Sequence, residues 1–485
     1  MISTRFIRSS LLYTLGGAMP MASGLLLLPF YTDLLALETY GILMLYVAFS
    51  LFIQLFTTYA LDAYLGIHYL ELQHDANTSK RLVAEVSGLL LMIGTGVLIF
   101  SYIAGKPLFD LSFNREGNLS FFPWGILSVL VGVLNGIFKV ATNLLVYRQE
   151  AWKYFLYNFF NLVLTVTISL IGLYEFPGEL TGPIWGRVLS GIGISALALI
   201  YLSRNYGIRF STSALKDLNK FCAPYVMYML MIWVLANIDR YIINATLDAE
   251  KVGLFDFALR CAMVIELLQN GLMAAVNPPV FTIWKNDNKH STTAESNRYF
   301  NGFTAVCVML VAFFALAIPA AVPVFVKNEA FYPSLILINL LLSGFVLRGI
   351  YHFYLSPLLY LKNTRLLPLV FACSAAVQIP LTWYLAKYYD IEGAVFANIA
   401  VKAVQVLFLW LFVRSRFNFK FNALKLVVLP VLFIGAQVTI WFMSKTFNWQ
   451  AQAILLLVSI TAIGLTYYHE LKLTFSRFLR PSPKP

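Results

Sequence analysis

Charge is the scarcest property of this sequence. Only 12% of the 485 residues are Asp, Glu, Lys or Arg, while 60% are hydrophobic. A soluble domain carries about 25% charged residues, so this chain lacks the means to cover a water-exposed surface. Cysteine is scarce as well. Cys222, Cys261, Cys307 and Cys373 fall in or at the ends of apolar runs with no CxxC spacing, which predicts small buried side chains rather than disulfides or a metal site. No polar stretch is long enough for a separate soluble domain. HExxH, DxD, P-loop and paired loop carboxylates are all missing, so neither a cofactor nor ATP-driven transport is expected. The alternating strands of a β-barrel are missing too.

What is present is a succession of apolar runs, each long enough to cross a hydrocarbon core of about 30 Å, which takes about 20 residues as a helix. They predict an all-α polytopic membrane protein with about fourteen spans, near 10–32, 41–65, 82–102, 121–145, 154–173, 181–202, 221–246, 252–284, 299–326, 331–360, 366–386, 391–413, 425–443 and 449–468. The first is read as a retained helix, because no small-residue cleavage site follows it.

Basic residues fix the expected orientation. With the N-terminus in the cytoplasm, the inner loops and tail hold 23 of the 35 Lys and Arg residues, the outer loops hold six, and six lie within spans. Positive charge concentrates on the cytoplasmic side of membrane proteins, so both termini are expected there. The formal net charge of +12 is thus a topology signal and does not imply a nucleic-acid partner. The longest outer loop, about 103–120, is too small to house a catalytic domain, which argues against a membrane-embedded polysaccharide polymerase or glycosyltransferase.

The most basic inner connector, 204–220, divides the chain into an N-terminal lobe (1–203, spans one to six), a linker and a C-terminal lobe (221–413, spans seven to twelve). Spans thirteen and fourteen and a basic tail occupy 414–485. Glu38-Thr39-Tyr40-Gly41 after span one is echoed by Glu250-Lys251-Val252-Gly253 after span seven. An even number of spans per lobe implies two six-helix lobes in parallel pseudo-two-fold repeat, with two extra helices outside it.

Ionisable groups at mid-membrane cost about 2.5–3.5 kcal/mol on insertion scales and mark candidate sites. Six basic residues qualify (Lys139, Arg187, Arg240, Arg260, Arg348, Lys402), against the acidic Asp62, Asp239, Asp256 and Glu266, so the interior carries a basic excess. Asp256 and Arg260 have i,i+4 spacing and suit either a structural pair or a substrate contact. For Arg240, Arg260 and Lys402 a cavity contact is favoured. For Lys139, Arg187, Arg348 and Asp62 the favoured reading is snorkelling or structural pairing, and Glu266 and Asp62 are the candidates for ion coupling. Span one carries Gly16, Gly17, Pro20, Gly24 and Pro29, which suits either close packing or a flexing hinge; the hinge is favoured.

Several segments resemble the polysaccharide flippases of the multidrug/oligosaccharidyl-lipid/polysaccharide exporter superfamily. They are Leu28-Pro29-Phe30-Tyr31-Thr32-Asp33-Leu34 with Glu38-Thr39-Tyr40-Gly41, Arg148-Gln149-Glu150, Asn237-Ile238-Asp239-Arg240-Tyr241-Ile242-Ile243, Val252-Gly253-Leu254-Phe255, Lys362-Asn363-Thr364 and Ile391-Glu392-Gly393-Ala394. The resemblance implies a multi-pass protein of the bacterial inner membrane that works by alternating access. Its substrate would be an undecaprenyl-pyrophosphate-linked oligosaccharide, moved to the periplasmic leaflet for O-antigen, capsule or exopolysaccharide assembly. It implies a cavity lined by spans one, two, seven and eight, hence by Arg240, Arg260, Asp239, Asp256 and Glu266, and a proton or sodium gradient as candidate driving force. A polysaccharide polymerase and a chain-length regulator are the candidate protein partners, beside membrane lipids. The alternatives are a lipid-linked peptidoglycan-precursor flippase and a cation-coupled drug exporter of the same superfamily. Cationic drugs favour an acidic cavity, so the basic excess argues against the last. Among phosphate ligands, Arg suits bidentate contact and Lys supplies a point charge.

Overall fold

The computed structural model describes residues 4–72, 75–113, 117–210, 215–287, 291–362 and 364–468. Arg115, Lys289, Asn363, residues 211–214 of the linker and the basic tail with Lys472, Arg477, Arg480 and Lys484 lie outside them.

The described residues fold as fifteen α-helices with short π and 3-10 turns and a single parallel bridge, Ser291 to Asn418. They are α1 (Thr4–Leu34), α2 (Leu37–Thr58), α3 (Leu61–Glu71), α4 (Ala76–Phe113), α5 (Ile126–Tyr147), α6 (Ala151–Glu175), α7 (Thr181–Tyr206) and α8 (Leu215–Thr246). After them come α9 (Ala249–Asp287), α10 (Ala294–Phe325), α11 (Ser334–Gly344), α12 (Arg348–Tyr360), α13 (Leu367–Val413), α14 (Leu429–Ser444) and α15 (Trp449–Thr466).

Twelve helical segments are long and apolar enough to cross a membrane. The difference from fourteen has two causes. The spans expected at 366–386 and 391–413 follow one another in the 47-residue α13, where Tyr389 and Asp390 leave helical dihedrals and mark the joint between two helices. The Asp390 carboxylate restarts the second by accepting the Ile391 N–H at 2.8 Å. The 39-residue α9, which carries Asp256, Arg260, Glu266, Gln269, Asn270 and Asn277, is not among the twelve. With α13 taken as two and α9 added, the helices follow the expected spans in order. Met443 and Leu465 are 83% and 78% exposed, part of an apolar surface that lipid would cover.

The chain forms two compact units, Met1–Gly253 and Leu254–Pro485. In the first, α6 packs between α1 and α7, α5 packs on α2 and α7, and α8 packs on α2 and α3. Close approach of α2 and α5 comes from Gly132 and Gly136, four residues apart. A β-carbon on Gly132 would stand 2.6 Å from the Ser50 carbonyl oxygen, and one on Gly136 would stand 2.9 Å from Thr57. Small residues at this spacing let membrane helices approach backbone to backbone. In the second unit α10 packs on α11, α12 and α15, and α13 packs on α11 and α12. The buried amides of Gln437 on α14 and Gln452 on α15 exchange hydrogen bonds of 3.0 and 2.9 Å.

Candidate functional site

Span two is one run in the sequence and two helices in space. Helix α2 ends at Thr58, Tyr59 and Ala60 take left-handed dihedrals with φ of 44° and 57°, and α3 restarts at Leu61. Neither residue is glycine, and each such conformation costs about 1–3 kcal/mol, so the surroundings must hold the break in place. The Tyr59 hydroxyl donates to the Asn219 side chain of α8. Interrupted membrane helices carry ion and substrate sites, because irregular backbone is tolerated only where protein or a wet cavity satisfies it.

The break places Asp62 in the first turn of α3, where the helix dipole favours negative charge. Asp62 is 8% exposed. Its Oδ2 lies 3.2 Å from Lys139 Nζ and accepts a 3.0 Å hydrogen bond from Asn143 Nδ2. Lys139 and Asn143 are one turn apart on α5, so the Gly132–Gly136 contact that seats α5 on α2 also sets their reach to Asp62.

Beside this pair lies a cavity of about 250 Å³ between α2, α3, α5 and α8. Its polar lining is Gln54, Thr58, Asp62, Lys139, Tyr225 and Asn237; the rest is apolar. On α8, Trp233 Nε1 donates to the Ala48 carbonyl at 3.1 Å and the Tyr241 hydroxyl donates to the Leu45 carbonyl at 2.8 Å. These bonds pin α8 to α2. The site pairs one carboxylate with one ammonium in an apolar surround, an arrangement in which an arriving anion and the carboxylate compete for Lys139.

The structure places the remaining candidates as follows. Arg240 is 7% exposed and bonds within its own helix, donating to the Ala236 carbonyl at 2.8 Å and to Asn237 Oδ1 at 3.4 Å; neither it nor the buried Asp239 lines the cavity. In the second unit, Arg260 Nε meets Asp256 Oδ2 at 2.5 Å, with Asp256 fully buried. Glu266 pairs with Arg348 at 2.9 Å, and Arg348 also donates to Asn270 Oδ1 at 2.9 Å. Lys402 Nζ sits 4.1 Å from the Phe345 ring centroid, a cation–π contact.

Helix α1 runs without a break through Pro20 and Pro29. A β-carbon on Gly16 would come 2.8 Å from the Tyr154 ring, and one on Gly17 would come 3.4 Å from the Tyr154 hydroxyl. Close packing on α6 therefore accounts for Gly16.

Sequence reasoning gave Lys139 a structural role and did not single out Gln54, Asn143, Tyr225 or Asn237 as a lining. The Gly132–Gly136 spacing, which aims Lys139 at span two, was the available signal. Among the described residues no group of three or more His, Cys, Asp or Glu side chains could hold a metal ion. Cys222, Cys261 and Cys307 are buried free thiols and Cys373 is a partly exposed one.

Comparison with known proteins agrees with this architecture. The family model described as polysaccharide biosynthesis protein matches residues 6–285. No curated protein matches the chain significantly. The structure of a lipid II flippase, MurJ, in an inward closed conformation is similar over 98% of this chain and 100% of its own, with a TM-score of 0.69 at 16% identity. An inward-facing multidrug resistance MATE transporter of the MOP superfamily is similar over 81% of this chain and 97% of its own, with a TM-score of 0.61 at 16% identity. The MATE multidrug transporter DinF-BH is similar over 86% of this chain and 96% of its own, with a TM-score of 0.57 at 13% identity. The chain belongs to the polysaccharide biosynthesis protein family, as a multi-pass helical membrane protein with the fold shared by these flippase and MATE structures.

Proposed function

We propose that the protein is an alternating-access flippase of the bacterial inner membrane. It carries an undecaprenyl-pyrophosphate-linked oligosaccharide from the cytoplasmic to the periplasmic leaflet, for O-antigen, capsule or exopolysaccharide assembly. The observation that carries this reading is the first unit's cavity, where Lys139 offers a cation in a membrane chain of a polysaccharide biosynthesis family. At about 250 Å³ it is smaller than the roughly 300–1,000 Å³ clefts that hold drug-sized ligands, so it suits a pyrophosphate and not a glycan.

Lys139 is 41% exposed at its side chain and can turn from Asp62 to a phosphate oxygen. Asp62 would then lose its counter-ion, which makes it the candidate group for coupling to a proton or sodium gradient. Substrate entry and ion uptake are thereby linked through one pair. A polymerase and a chain-length regulator would act on the delivered product.

A second reading, flipping of a lipid-linked peptidoglycan precursor, is favoured by one observation: the lipid II flippase structure is similar along 98% of this chain, against 81% for the MATE structure. Deleting the gene and assaying lipid-linked intermediates by leaflet separates the readings. Complete oligosaccharide repeat units on the cytoplasmic leaflet support the first. Accumulated peptidoglycan precursor supports the second, and unchanged intermediates of both kinds reject both.

A further inference from the structure

The connector between α13 and α14 turns at Arg414, Ser415 and Arg416 and then runs on as a strap in which aromatic and polar residues alternate: Phe417, Asn418, Phe419, Lys420, Phe421. Successive side chains of an extended chain point to opposite sides. On the inner side Phe417 is buried 5.0 Å from the Trp284 ring, Phe419 lies 4.9 Å from Tyr354, and Phe421 lies 5.5 Å from Phe353. On the outer side Arg416, Asn418 and Lys420 are exposed. The backbone is tied down at Thr292, whose N–H donates to the Asn418 carbonyl at 3.0 Å and whose hydroxyl accepts the Lys420 N–H at 2.7 Å. Asn297 Nδ2 adds a bond to the Lys420 carbonyl. The strap is thus rigid before anything binds it.

Where the strap leaves α13 there is a pocket of about 510 Å³ lined by Trp410, Arg414, Ser415, Arg416 and Asn418 together with the strap's three phenylalanines. The Arg414 guanidinium lies 4.8 Å from the Trp410 ring centroid. Some exposed cations of this protein meet carboxylates, as Arg81 meets Glu85 at 2.9 Å and Lys106 meets Asp110 at 2.6 Å. Among the described residues neither Arg414 nor Arg416 does. Two full positive charges outweigh the roughly half negative charge at the C-terminus of α13, so the pocket attracts anions.

The connector joins two membrane-spanning segments and therefore lies at a membrane surface. Tryptophan is enriched at that level. One turn inward α13 exposes Leu407 and Leu411, and the next span opens with exposed Leu424 and Val428, apolar surface of the kind acyl chains cover. A basic pocket at headgroup height with apolar surface adjoining it matches an amphiphilic anion rather than a soluble one.

We propose that this pocket binds the headgroup of an anionic phospholipid of the surrounding bilayer, with Arg414 and Arg416 on its phosphate. The site is separate from the cavity at Asp62 and Lys139 and does not depend on which cargo that cavity carries.

The test uses full-length protein, delipidated in neutral detergent and titrated with phosphatidylglycerol or phosphatidylcholine, with bound lipid counted by native mass spectrometry. Each basic residue near an anionic surface contributes about a fivefold gain in affinity, so Arg414→Gln/Arg416→Gln should bind phosphatidylglycerol about 30-fold more weakly. Arg298→Gln/Arg365→Gln, which removes two exposed cations of the same unit outside this pocket, should bind as wild type. The proposal is overturned if the Arg414→Gln/Arg416→Gln protein keeps wild-type binding, or if the control pair loses as much. It is equally overturned if phosphatidylcholine binds as tightly, or if inorganic phosphate occupies the site as well as the lipid does. Matching thermal unfolding of both variants in neutral detergent separates lost binding from lost fold.

Discussion

Gly41 and Gly253 are each pressed against the start of the other's helix. A β-carbon on Gly41 of α2 would stand 1.9 Å from the Ala249 carbonyl oxygen at the head of α9; one on Gly253 of α9 would stand 2.6 Å from the Leu37 carbonyl oxygen at the head of α2. The relationship is reciprocal, and it gives a physical reason for the echo of Glu38-Thr39-Tyr40-Gly41 in Glu250-Lys251-Val252-Gly253. Both glycines stand one turn into their helices, and both make room for the same crossing.

Alanine at either position should therefore be destabilising. Overpacking costs about 1–3 kcal/mol where neighbours can shift, and backbone carbonyls shift poorly. Gly41→Ala should lower the unfolding temperature in detergent more than Gly253→Ala. Because both change one crossing, the double variant should lose less than the sum. Wild-type thermal stability in Gly41→Ala would refute the contact.

The Asp62–Lys139 pair separates a structural role from a transport role. Lys139→Gln should abolish export. If the lysine only balances Asp62, then Asp62→Asn/Lys139→Gln restores export by removing both charges. If Lys139 meets the substrate phosphate, as proposed, the double variant inserts and stays folded yet remains inactive. Export of the lipid-linked intermediate, read beside protein abundance in the membrane, decides between them.

The Gln437–Gln452 amide pair predicts a double-mutant signature. Gln437→Leu leaves one buried amide without its partner and should cost about 0.6–1.7 kcal/mol, the range seen for hydrogen bonds between membrane helices. Gln437→Leu/Gln452→Leu removes both polar groups and should recover most of that loss. Additive losses from the two single changes would contradict the pairing.

Asp256 is fully buried against Arg260, so Arg260→Met should destabilise the second unit by about 3–5 kcal/mol, the usual consequence of removing one partner from a buried ion pair. Asp256→Asn/Arg260→Met should be far milder. Equal unfolding temperatures for Arg260→Met and wild type would show that the pair carries no stability.

A pH effect should arise at the cap of α4. Asp75 accepts the Thr78 hydroxyl at 2.6 Å and the N–H groups of Thr78 and Asn77 at 3.2 and 3.0 Å, and these bonds, the Thr78 hydroxyl foremost, lower its pKa. A depressed carboxylate stabilises the fold fully above the unfolded pKa of about 3.9, and that stability is lost as pH falls through the lower folded value. Wild type should exceed Asp75→Ala in unfolding temperature at neutral pH, and the gap should close in acid. A gap independent of pH would exclude the charged cap.

Much of the architecture was legible because the bilayer imposes it. A span must be about 20 residues long, apolar and helical, so the order of spans could be read from hydropathy alone. Charged positions were legible for the same reason, as each stands out at a cost. Their partners were not. Asp62 and Lys139 are 77 positions apart in the chain, and Glu266 and Arg348 are 82 apart, and nothing local to either says which residue it will meet.

The break at Tyr59 and Ala60 was hidden for another reason. Neither residue is a customary helix breaker, and the turn persists because packing around it, including the Tyr59 contact with Asn219, holds dihedrals that the local sequence would not choose. Composition and basic-residue bias by themselves determined a many-span helical membrane protein and its expected orientation, because transfer free energies act residue by residue. Only the tertiary structure decided which charge faces which, where a span breaks and where a cavity opens, because those depend on close approach between helices distant in the chain.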